Sequence, residues 1–255
     1  MNVYLLIGTP HCGRRAILAD LLDYGLGSGT KVTVWLPEEE RDETADEPLQ
    51  KMPALDLRSW KLVPADSPKG VPAIEFENNF EPEDYGFFVL NGRRDPIGQI
   101  EAFADLVKRY AWSLVRVILV VDSKFAKAVP ETADFYKALI HFSDVVLFAN
   151  RGDISSAWFE AFKKPYRDEC YPCIFELVKK NRVKNAVATL ADTPRRMTMI
   201  FDDIDPLDDM EFDEDNLPTE PFDIVAKPDP YFERNEHGAR LIVVPDIEEL
   251  LKKNG

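Results

Sequence analysis

The sequence is poor in cysteine and contains no long apolar segment. Three cysteines in 255 residues do not make a disulfide framework, which is typical of a reducing compartment. No apolar run approaches the roughly 18 residues that a membrane-spanning helix needs. The amino terminus enters the apolar stretch VYLLIG at once, without the basic region and cleavage site of a signal peptide. These absences predict a cytoplasmic protein with no membrane partner.

Positive charge is also scarce, because 46 acidic residues outnumber 31 basic ones and give a net charge of −15. Most of the excess lies in residues 202–223, which contain eleven carboxylates and no lysine or arginine. Such a chain is not expected to bind nucleic acid, because phosphate neutralisation needs a basic surface. The 202–223 segment has too few apolar residues for a core, and we predict that it is disordered. A second acidic run, residues 37–48, is expected to be a solvated loop.

What the sequence does contain is an alternation of short apolar runs with helical patterns. Four runs that do not alternate in polarity, as in strands covered on both faces, lie at residues 2–8, 86–92, 115–122 and 144–150. Two further candidate strands lie at residues 31–36 and 172–178. Helical patterns lie at residues 14–26, 96–112 and 132–142. This alternation predicts an α/β fold with a doubly wound, mainly parallel sheet.

The pattern weakens beyond residue 180. We therefore expect one α/β domain over residues 1–180 and a C-terminal extension over residues 181–255. Within the extension we predict a helix in 183–192, strands at 196–201 and 239–245, and a terminal helix at 246–253.

The first loop is bounded by Gly8 and Gly13, and it follows the first predicted strand and precedes the first predicted helix. This outline is typical of a phosphate-binding loop, whose pattern GxxxxGK[ST] places a lysine and a magnesium-binding hydroxyl after the second glycine. Here Arg14 and Arg15 occupy those two positions. A helix N-terminus favours anions. A tight turn that binds nothing would show the same two glycines, so both interpretations stay open.

A second motif follows the apolar run at residues 144–150. Asn150 and Asp153 are placed at the edge where open α/β sheets bind ligands. The Asn-x-x-Asp spacing suits guanine, because a carboxylate there accepts hydrogen bonds from the ring N–H and the exocyclic amine. The alternative is that Asp153 caps a helix beginning in the following ISSAWFEAF stretch.

Together these motifs resemble those of the CobW-type P-loop GTPases, which are relatives of UreG and HypB. The stretch FFVLNGRRDPIGQIEAF, with Gly92, Asp95 and Pro96, matches the third conserved region of that family. VILVVDSKF, with Asp122, matches the strand end that follows, and HFSDVVLFANRGD matches the guanine-reading segment. The resemblance extends from residue 3 to about residue 155.

This resemblance implies a three-layer α/β/α fold of the P-loop NTPase type. It also implies a binding site for GTP or GDP. The residues of this site would be Gly8, Gly13, Arg14, Arg15, Gly92, Asn150 and Asp153.

Several positions depart from the family pattern. Arg14 and Arg15 replace the lysine and the magnesium-binding hydroxyl, and Val89 stands where an acidic residue is expected. The CxCC metal motif of the family is missing, since no cysteine lies between Cys12 and Cys170. Phosphoryl transfer depends on positioning and charge stabilisation by these groups. We therefore expect little or no GTP hydrolysis, no catalytic residue and a doubtful role for magnesium.

Cys170 and Cys173 have the spacing of a zinc or redox pair. A closed zinc site needs four ligands, and the remaining candidates are Cys12, His11, His141 and His237. A redox pair is expected to open a helix, whereas the residues after Cys173 have a strand pattern. We interpret the pair as two partly buried thiols and expect no zinc.

These observations leave three functional hypotheses. The first is a degenerate GTPase that still binds a guanine nucleotide. The second is a protein-interaction module with an empty nucleotide pocket, and the third is an active GTPase or metallochaperone. In this fold Arg14, Arg15, Arg93 and Arg94 would gather at one edge of the sheet, where they would attract a phosphate, another polyanion or the acidic 202–223 segment. Alternatively, nearby Asp and Glu side chains pair with these arginines.

Overall fold

The computed structural model describes residues 1–67, 70–77, 85–201 and 229–253. Within these ranges eight strands form one sheet. Their bounds are β1 (Asn2–Gly8), β2 (Val32–Pro37), β3 (Leu55–Val63), β4 (Ala73–Phe76), β5 (Tyr85–Val89), β6 (Ser113–Asp122), β7 (Val145–Ala149) and β8 (Ile174–Leu177).

The same described ranges contain eight α-helices and one turn of 3-10 helix at Glu38–Glu40. The α-helices are α1 (Arg14–Gly25), α2 (Glu43–Gln50), α3 (Pro96–Arg109), α4 (Ser123–Ala128), α5 (Thr132–His141), α6 (Ser156–Asp168), α7 (Ala186–Thr189) and α8 (Ile247–Lys252). None of these described helices is long and apolar enough to cross a membrane.

The strand order is β4-β3-β2-β5-β1-β6-β7-β8. Every neighbouring pair is parallel except β3 and β4, which are antiparallel. The chain leaves β1 toward β2 on one side, whereas it leaves β6 toward β7 on the other. The direction of winding therefore reverses at β1, and the loop after β1 lies at a switch point of the sheet, where such folds bind ligands.

Successive residues of β1 pack on opposite faces of the sheet. Val3, Leu5 and Ile7 belong to a core shared with α3, α5 and α6, whereas Tyr4 and Leu6 belong to a core shared with α1. Because both faces are covered, β1 is apolar from Val3 to Ile7 and does not alternate in polarity. The predicted doubly wound, mainly parallel α/β fold with three layers is confirmed.

Capping residues account for the start of α3. The Asp95 carboxylate accepts hydrogen bonds from the N–H groups of Ile97 and Gly98, both at 3.0 Å. Pro96 is the first helical residue, a position where a missing N–H costs nothing. Asp-Pro therefore defines the turn between β5 and α3.

Two strands were missed in the sequence. β3 includes Asp56, Arg58 and Lys61 among apolar residues and is only partly buried along most of its length. β4 is a four-residue edge strand paired with it. Our sequence criterion was a continuous apolar run, and partly exposed strands on the flank of a sheet do not have one.

Two predicted strands, residues 196–201 and 239–245, are not strands. In the first, the N–H groups of Met197 and Thr198 donate to the carbonyl of His141 at the end of α5. In the second, the N–H of Leu241 donates to the carbonyl of Glu233 beside an isolated antiparallel bridge between Arg234 and Arg240, which is separate from the sheet. In both segments the backbone finds partners outside the sheet, so apolar composition alone misled the prediction. The predicted helices at 183–192 and 246–253 are present as the shorter α7 and α8.

The described parts of the C-terminal region pack on the sheet domain. The Tyr4 hydroxyl donates to the carbonyl of Leu190 at 2.8 Å. Glu101 on α3 accepts hydrogen bonds from Arg234 at 2.6 Å and from Arg240 at 2.8 Å. The acidic 202–223 segment, for which we predicted disorder, lies outside the described residues.

A buried ion pair joins the C-terminal region to the sheet, at the edge opposite the first loop. Asp144, fully buried before β7, pairs with Arg196 at 3.0 Å. Asp144 also accepts hydrogen bonds from the N–H groups of Val117, at 2.6 Å, and Arg195. One carboxylate therefore ties β6, β7 and the segment after α7 together.

Replacing Asp144 with alanine is expected to lower the free energy of unfolding by about 3–5 kcal/mol, because it removes a fully buried carboxylate that pairs with Arg196 and accepts two backbone N–H groups. Urea denaturation followed by circular dichroism measures the change. Asp105→Ala, at an exposed position of α3, is the matched control and should stay within about 0.5 kcal/mol of the unsubstituted protein. Equal losses in the two variants would contradict a clamping role for Asp144.

Candidate functional site

The candidate site begins with the first loop, between β1 and α1. Gly13 precedes α1 in the left-handed conformation, with φ 90° and ψ 15°, and His11 has φ 60°. A Cβ on Gly8 would lie 2.8 Å from the carbonyl oxygen of Val120 and 2.9 Å from the Sγ of Cys12. Gly8 therefore allows close packing below the loop, and Gly13 allows the turn into α1.

The loop after β5 packs against this first loop. A Cβ on Gly92 would lie 2.6 Å from the carbonyl oxygen of Gly8 and 2.8 Å from the nitrogen of Pro10. The structure thus brings Gly92 to the first loop, as the motif order suggested. Only glycine permits this approach, because any side chain would meet backbone atoms.

Arg14 is buried and does not point into open solvent. Its Nη2 atom pairs with Glu40 Oε2 at 2.8 Å, and its Nη1 atom donates to the carbonyl of Leu90. The other carboxylate oxygen of Glu40 accepts the backbone N–H of Gly92 at 2.9 Å. The guanidinium of Arg14 is thus neutralised by the chain's own carboxylate.

Arg15 is held in a similar way. Its Nε atom lies 2.5 Å from Asp46 Oδ1, and the Asp46 carboxylate is almost completely buried. Arg15 also donates to the backbone carbonyl of Glu40, and Arg41 pairs with the second oxygen of Asp46 at 2.7 Å. The acidic run 37–48, predicted to be a solvated loop, is instead an ordered segment that contains the 3-10 turn and α2. The prediction of a loop was wrong, whereas most of the run is exposed as expected. The exceptions are the Glu40 and Asp46 carboxylates, which are buried against Arg14 and Arg15.

Arg93 and Arg94 follow Gly92 on the surface. Arg94 makes a two-point contact with Glu39 at 2.9 and 3.0 Å, and these hydrogen bonds hold the pKa of Glu39 below its usual range. Arg93 Nη2 lies 3.3 Å from the Nε2 of His11. Three of the four arginines are therefore paired with carboxylates of residues 39–46. The alternative source of negative charge, the 202–223 segment, lies outside the described residues.

Asn150 joins the loop after β7 to the first loop. Its Nδ2 atom donates to Asp122 Oδ2 at 2.6 Å and to the carbonyl of His11 at 3.3 Å. Asp122 also caps α4 by accepting the N–H of Phe125 at 3.0 Å. The Asn150 amide nitrogen is therefore occupied with holding loops together.

Asp153 is exposed and has φ 65°. It does not cap α6, because Ser155 does so by accepting the N–H of Trp158 at 3.3 Å. Within the described ranges the Asp153 carboxylate makes no hydrogen bond or ion pair, so its acceptor atoms are available. The capping interpretation is wrong, and recognition of guanine stays a prediction.

A basic groove of about 390 Å³ separates the loops after β7 and β8. It is lined by Asn150, Arg151, Gly152, Val178, Lys179, Lys180 and Asn181. Arg151 Nε donates to the carbonyl of Val178 at 2.8 Å and fixes the two walls together. A Cβ on Gly152 would lie 4.0 Å from the Nζ of Lys124, which adds another cation beside the groove. Asp153 adjoins the groove but is not among its lining residues.

Sequence reasoning missed two parts of this site. The acids at Glu39, Glu40 and Asp46 were hidden in a run that looked solvated. The basic wall after β8 has a visible signal, the stretch VKKNRVK at residues 178–184, which we did not connect with Asn150. The loops after β7 and β8 lie together because these two strands are neighbours in the sheet, and strand order cannot be read from the motifs alone.

The cysteines do not assemble a site in the described residues. Cys12 is fully buried below the first loop, and burial raises the pKa of its thiol to about 11. Cys170 is exposed between α6 and β8, while Cys173 is buried and burial raises its pKa to about 12. In the described ranges no group of three or more His, Cys, Asp or Glu side chains could hold a metal ion.

No family profile matches the sequence, and no curated protein matches it. The Zn(II)-bound YjiA GTPase from E. coli matches with a TM-score of 0.41 and 14% identity, over 76% of this chain and 66% of that chain. A Zn(II)-bound triple mutant of YjiA GTPase matches with a TM-score of 0.40 and 14% identity, over 79% and 68%. Likeness of this size carries no argument about function, and the chain spans about two thirds of the length of these neighbours.

Gly92→Ala is expected to destabilise the protein by about 1–3 kcal/mol, because the added methyl group overlaps the backbone of Gly8 and Pro10. The free energy of unfolding in urea measures this loss. Gly27→Ala is the matched control, since its Cβ would meet only Thr30 Oγ1, at an ordinary 3.6 Å, and should change stability by less than about 1 kcal/mol. Two variants of equal stability would show that the loops do not pack as closely as described.

Proposed function

We propose that this chain is a P-loop-like protein that binds a guanine nucleotide and hydrolyses it slowly or not at all. The observation that supports binding is the hydrogen bond from Asn150 to the carbonyl of His11. It holds the candidate guanine-reading loop against the candidate phosphate loop, at the switch point of the sheet. The resemblance of the motifs to those of CobW-type GTPases supports the same assignment.

In this proposal the nucleotide lies along the C-terminal edge of the sheet. The phosphates face the first loop and the N-terminus of α1, whose N–H groups favour anions. The base occupies the groove between the loops after β7 and β8, and Asp153, which adjoins this groove, accepts hydrogen bonds from guanine. Lys124, Arg151, Lys179 and Lys180 add positive charge beside the groove.

Slow hydrolysis is expected from the ion pairs of Arg14 and Arg15 and from the apolar side chain of Val89. Arg14 is engaged with Glu40, and Arg15 is engaged with Asp46, so neither is available in this arrangement to stabilise a transferring phosphoryl group. Arg15 also supplies no hydroxyl for magnesium. Val89, at the position of the expected acid, is buried and apolar.

A second candidate function is a protein-interaction module with an empty nucleotide pocket. It is favoured by an exposed apolar segment, Leu241, Ile242 and Val243, whose side chains are 57%, 40% and 82% exposed. Contiguous apolar surface of this kind is typical of interaction sites. Mass spectrometry of the denatured, purified protein separates the two candidates. Retained or exchangeable guanine nucleotide supports the first, and protein that neither retains nor takes up GDP supports the second.

Phosphate release from GTP with magnesium is expected to stay far below about 1 s⁻¹, the lower end of ordinary enzyme turnover. The reason is that the lysine, the magnesium-binding hydroxyl and the acid are all replaced. A continuous phosphate assay at saturating GTP measures the rate. Turnover near 1 s⁻¹ that increases with magnesium would instead support the third hypothesis, an active GTPase or metallochaperone.

Asp153→Asn is expected to weaken GDP binding by about tenfold or more, because an amide nitrogen would face the guanine N–H groups. ADP binding, which lacks these contacts, should change little. Isothermal titration calorimetry measures both affinities, and Asp105→Asn on the exposed side of α3 is the matched control. Identical GDP affinities for Asp153→Asn and the unsubstituted protein would remove Asp153 from the site.

A further inference from the structure

Glu40 occupies one end of the candidate phosphate site. One oxygen of its carboxylate accepts the backbone N–H of Gly92 at 2.9 Å, and the other pairs with Arg14 Nη2 at 2.8 Å. The side chain is 8% exposed. A cation and a backbone N–H from two different loops therefore converge on one buried anion.

This pair of donors is the kind that holds a terminal phosphate. In a phosphate-binding loop the cation after the second glycine reaches the β- and γ-phosphates, and Arg14 stands at that position. Backbone N–H groups and arginine are the usual donors to phosphate oxygens. The Glu40 carboxylate satisfies both donors with oxygen atoms, as a phosphate would.

The segment that carries Glu40 is held by further ion pairs on either side. Glu39 is bound by Arg94, and it also accepts a hydrogen bond from the side-chain amide of Asn91 at 3.0 Å. Asp46 is bound by Arg15 and Arg41. Displacing Glu40 would require this segment to move against several contacts at once.

A terminal phosphate at this position would also meet negative charge. The displaced Glu40 carboxylate and the exposed Glu39 carboxylate would both lie near this phosphate and repel it. The hydrogen bonds of the Glu40 carboxylate within the described ranges go to Gly92 and Arg14, not to the N–H groups of the first loop. Glu40 therefore does not take the N–H groups of the first loop and the N-terminus of α1, which in this proposal bind the inner phosphates.

We propose that Glu40 takes the place of the terminal phosphate, so that the site accepts nucleoside diphosphates and excludes nucleoside triphosphates. This inference rests on the proposed nucleotide-binding function and adds its phosphate specificity. The protein would keep one arrangement of its loops whichever triphosphate is present, because its own carboxylate already closes that end of the site.

The test compares GDP with the non-hydrolysable analogue guanosine 5′-(β,γ-imido)triphosphate, by isothermal titration calorimetry on the full chain. The unsubstituted protein is expected to bind GDP at least about tenfold more tightly than the triphosphate. Glu40→Gln keeps the size of the side chain but removes its charge, and Glu40→Ala vacates the position. In both variants the preference for GDP over the triphosphate should fall by about tenfold or more, because the triphosphate gains the position that the Glu40 carboxylate held.

Glu38→Gln is the matched control, because Glu38 belongs to the same 3-10 turn but pairs on the surface with Lys61 at 3.0 Å. It should leave both affinities unchanged. Circular dichroism establishes that each variant is folded, and Glu40→Gln serves if Glu40→Ala is not. Equal binding of the two nucleotides by the unsubstituted protein, or an unchanged ratio in Glu40→Gln, would overturn the specificity while leaving nucleotide binding intact. Absence of binding by all of these proteins would overturn the proposed function itself.

Discussion

The buried pair between Arg14 and Glu40 is the interaction on which the arrangement of the candidate site depends. A buried guanidinium without an anionic partner would be costly, so Arg14 requires an anion beside it in the folded protein. Glu40 supplies it and at the same time accepts the N–H of Gly92. One carboxylate therefore connects the loop after β1, the segment after β2 and the loop after β5.

This connection gives the two ends of the site different electrostatic characters. At the end near Gly92, three of the four arginines are paired with carboxylates of Glu39, Glu40 and Asp46. At the other end, the groove beside Asn150 is lined by Arg151, Lys179 and Lys180. Arg151 also joins the two walls of the groove through its hydrogen bond to the carbonyl of Val178. Any anion that binds this edge would therefore be drawn toward the groove and the first loop rather than toward Gly92.

The glycines of the motif also take on a meaning that does not depend on a ligand. Gly8 allows close packing against Val120 and Cys12, Gly92 allows the loop after β5 to touch the first loop, and Gly13 allows the turn that starts α1. Each would be required even if the pocket were empty. The glycine pattern is therefore weaker support for nucleotide binding than the hydrogen bond between Asn150 and the first loop.

The sequence by itself determined the fold class and the edge of the sheet where the motifs meet. Continuous apolar runs indicate strands covered on both faces, and Asp95-Pro96 indicates the start of a helix. Both signals are local, because the residues that are buried or that cap the helix are neighbours in the sequence. Only the tertiary structure decided which charges pair. Glu40 is 26 residues from Arg14, and Glu39 is 55 residues from Arg94. Strand order and loop packing decide which of these distant residues pair, and local periodicity does not encode either of them. Burial at the flank of a sheet also depends on strand order, so β3 and β4 were missed. For the same reason residues 196–201, which pack outside the sheet, were misread as a strand.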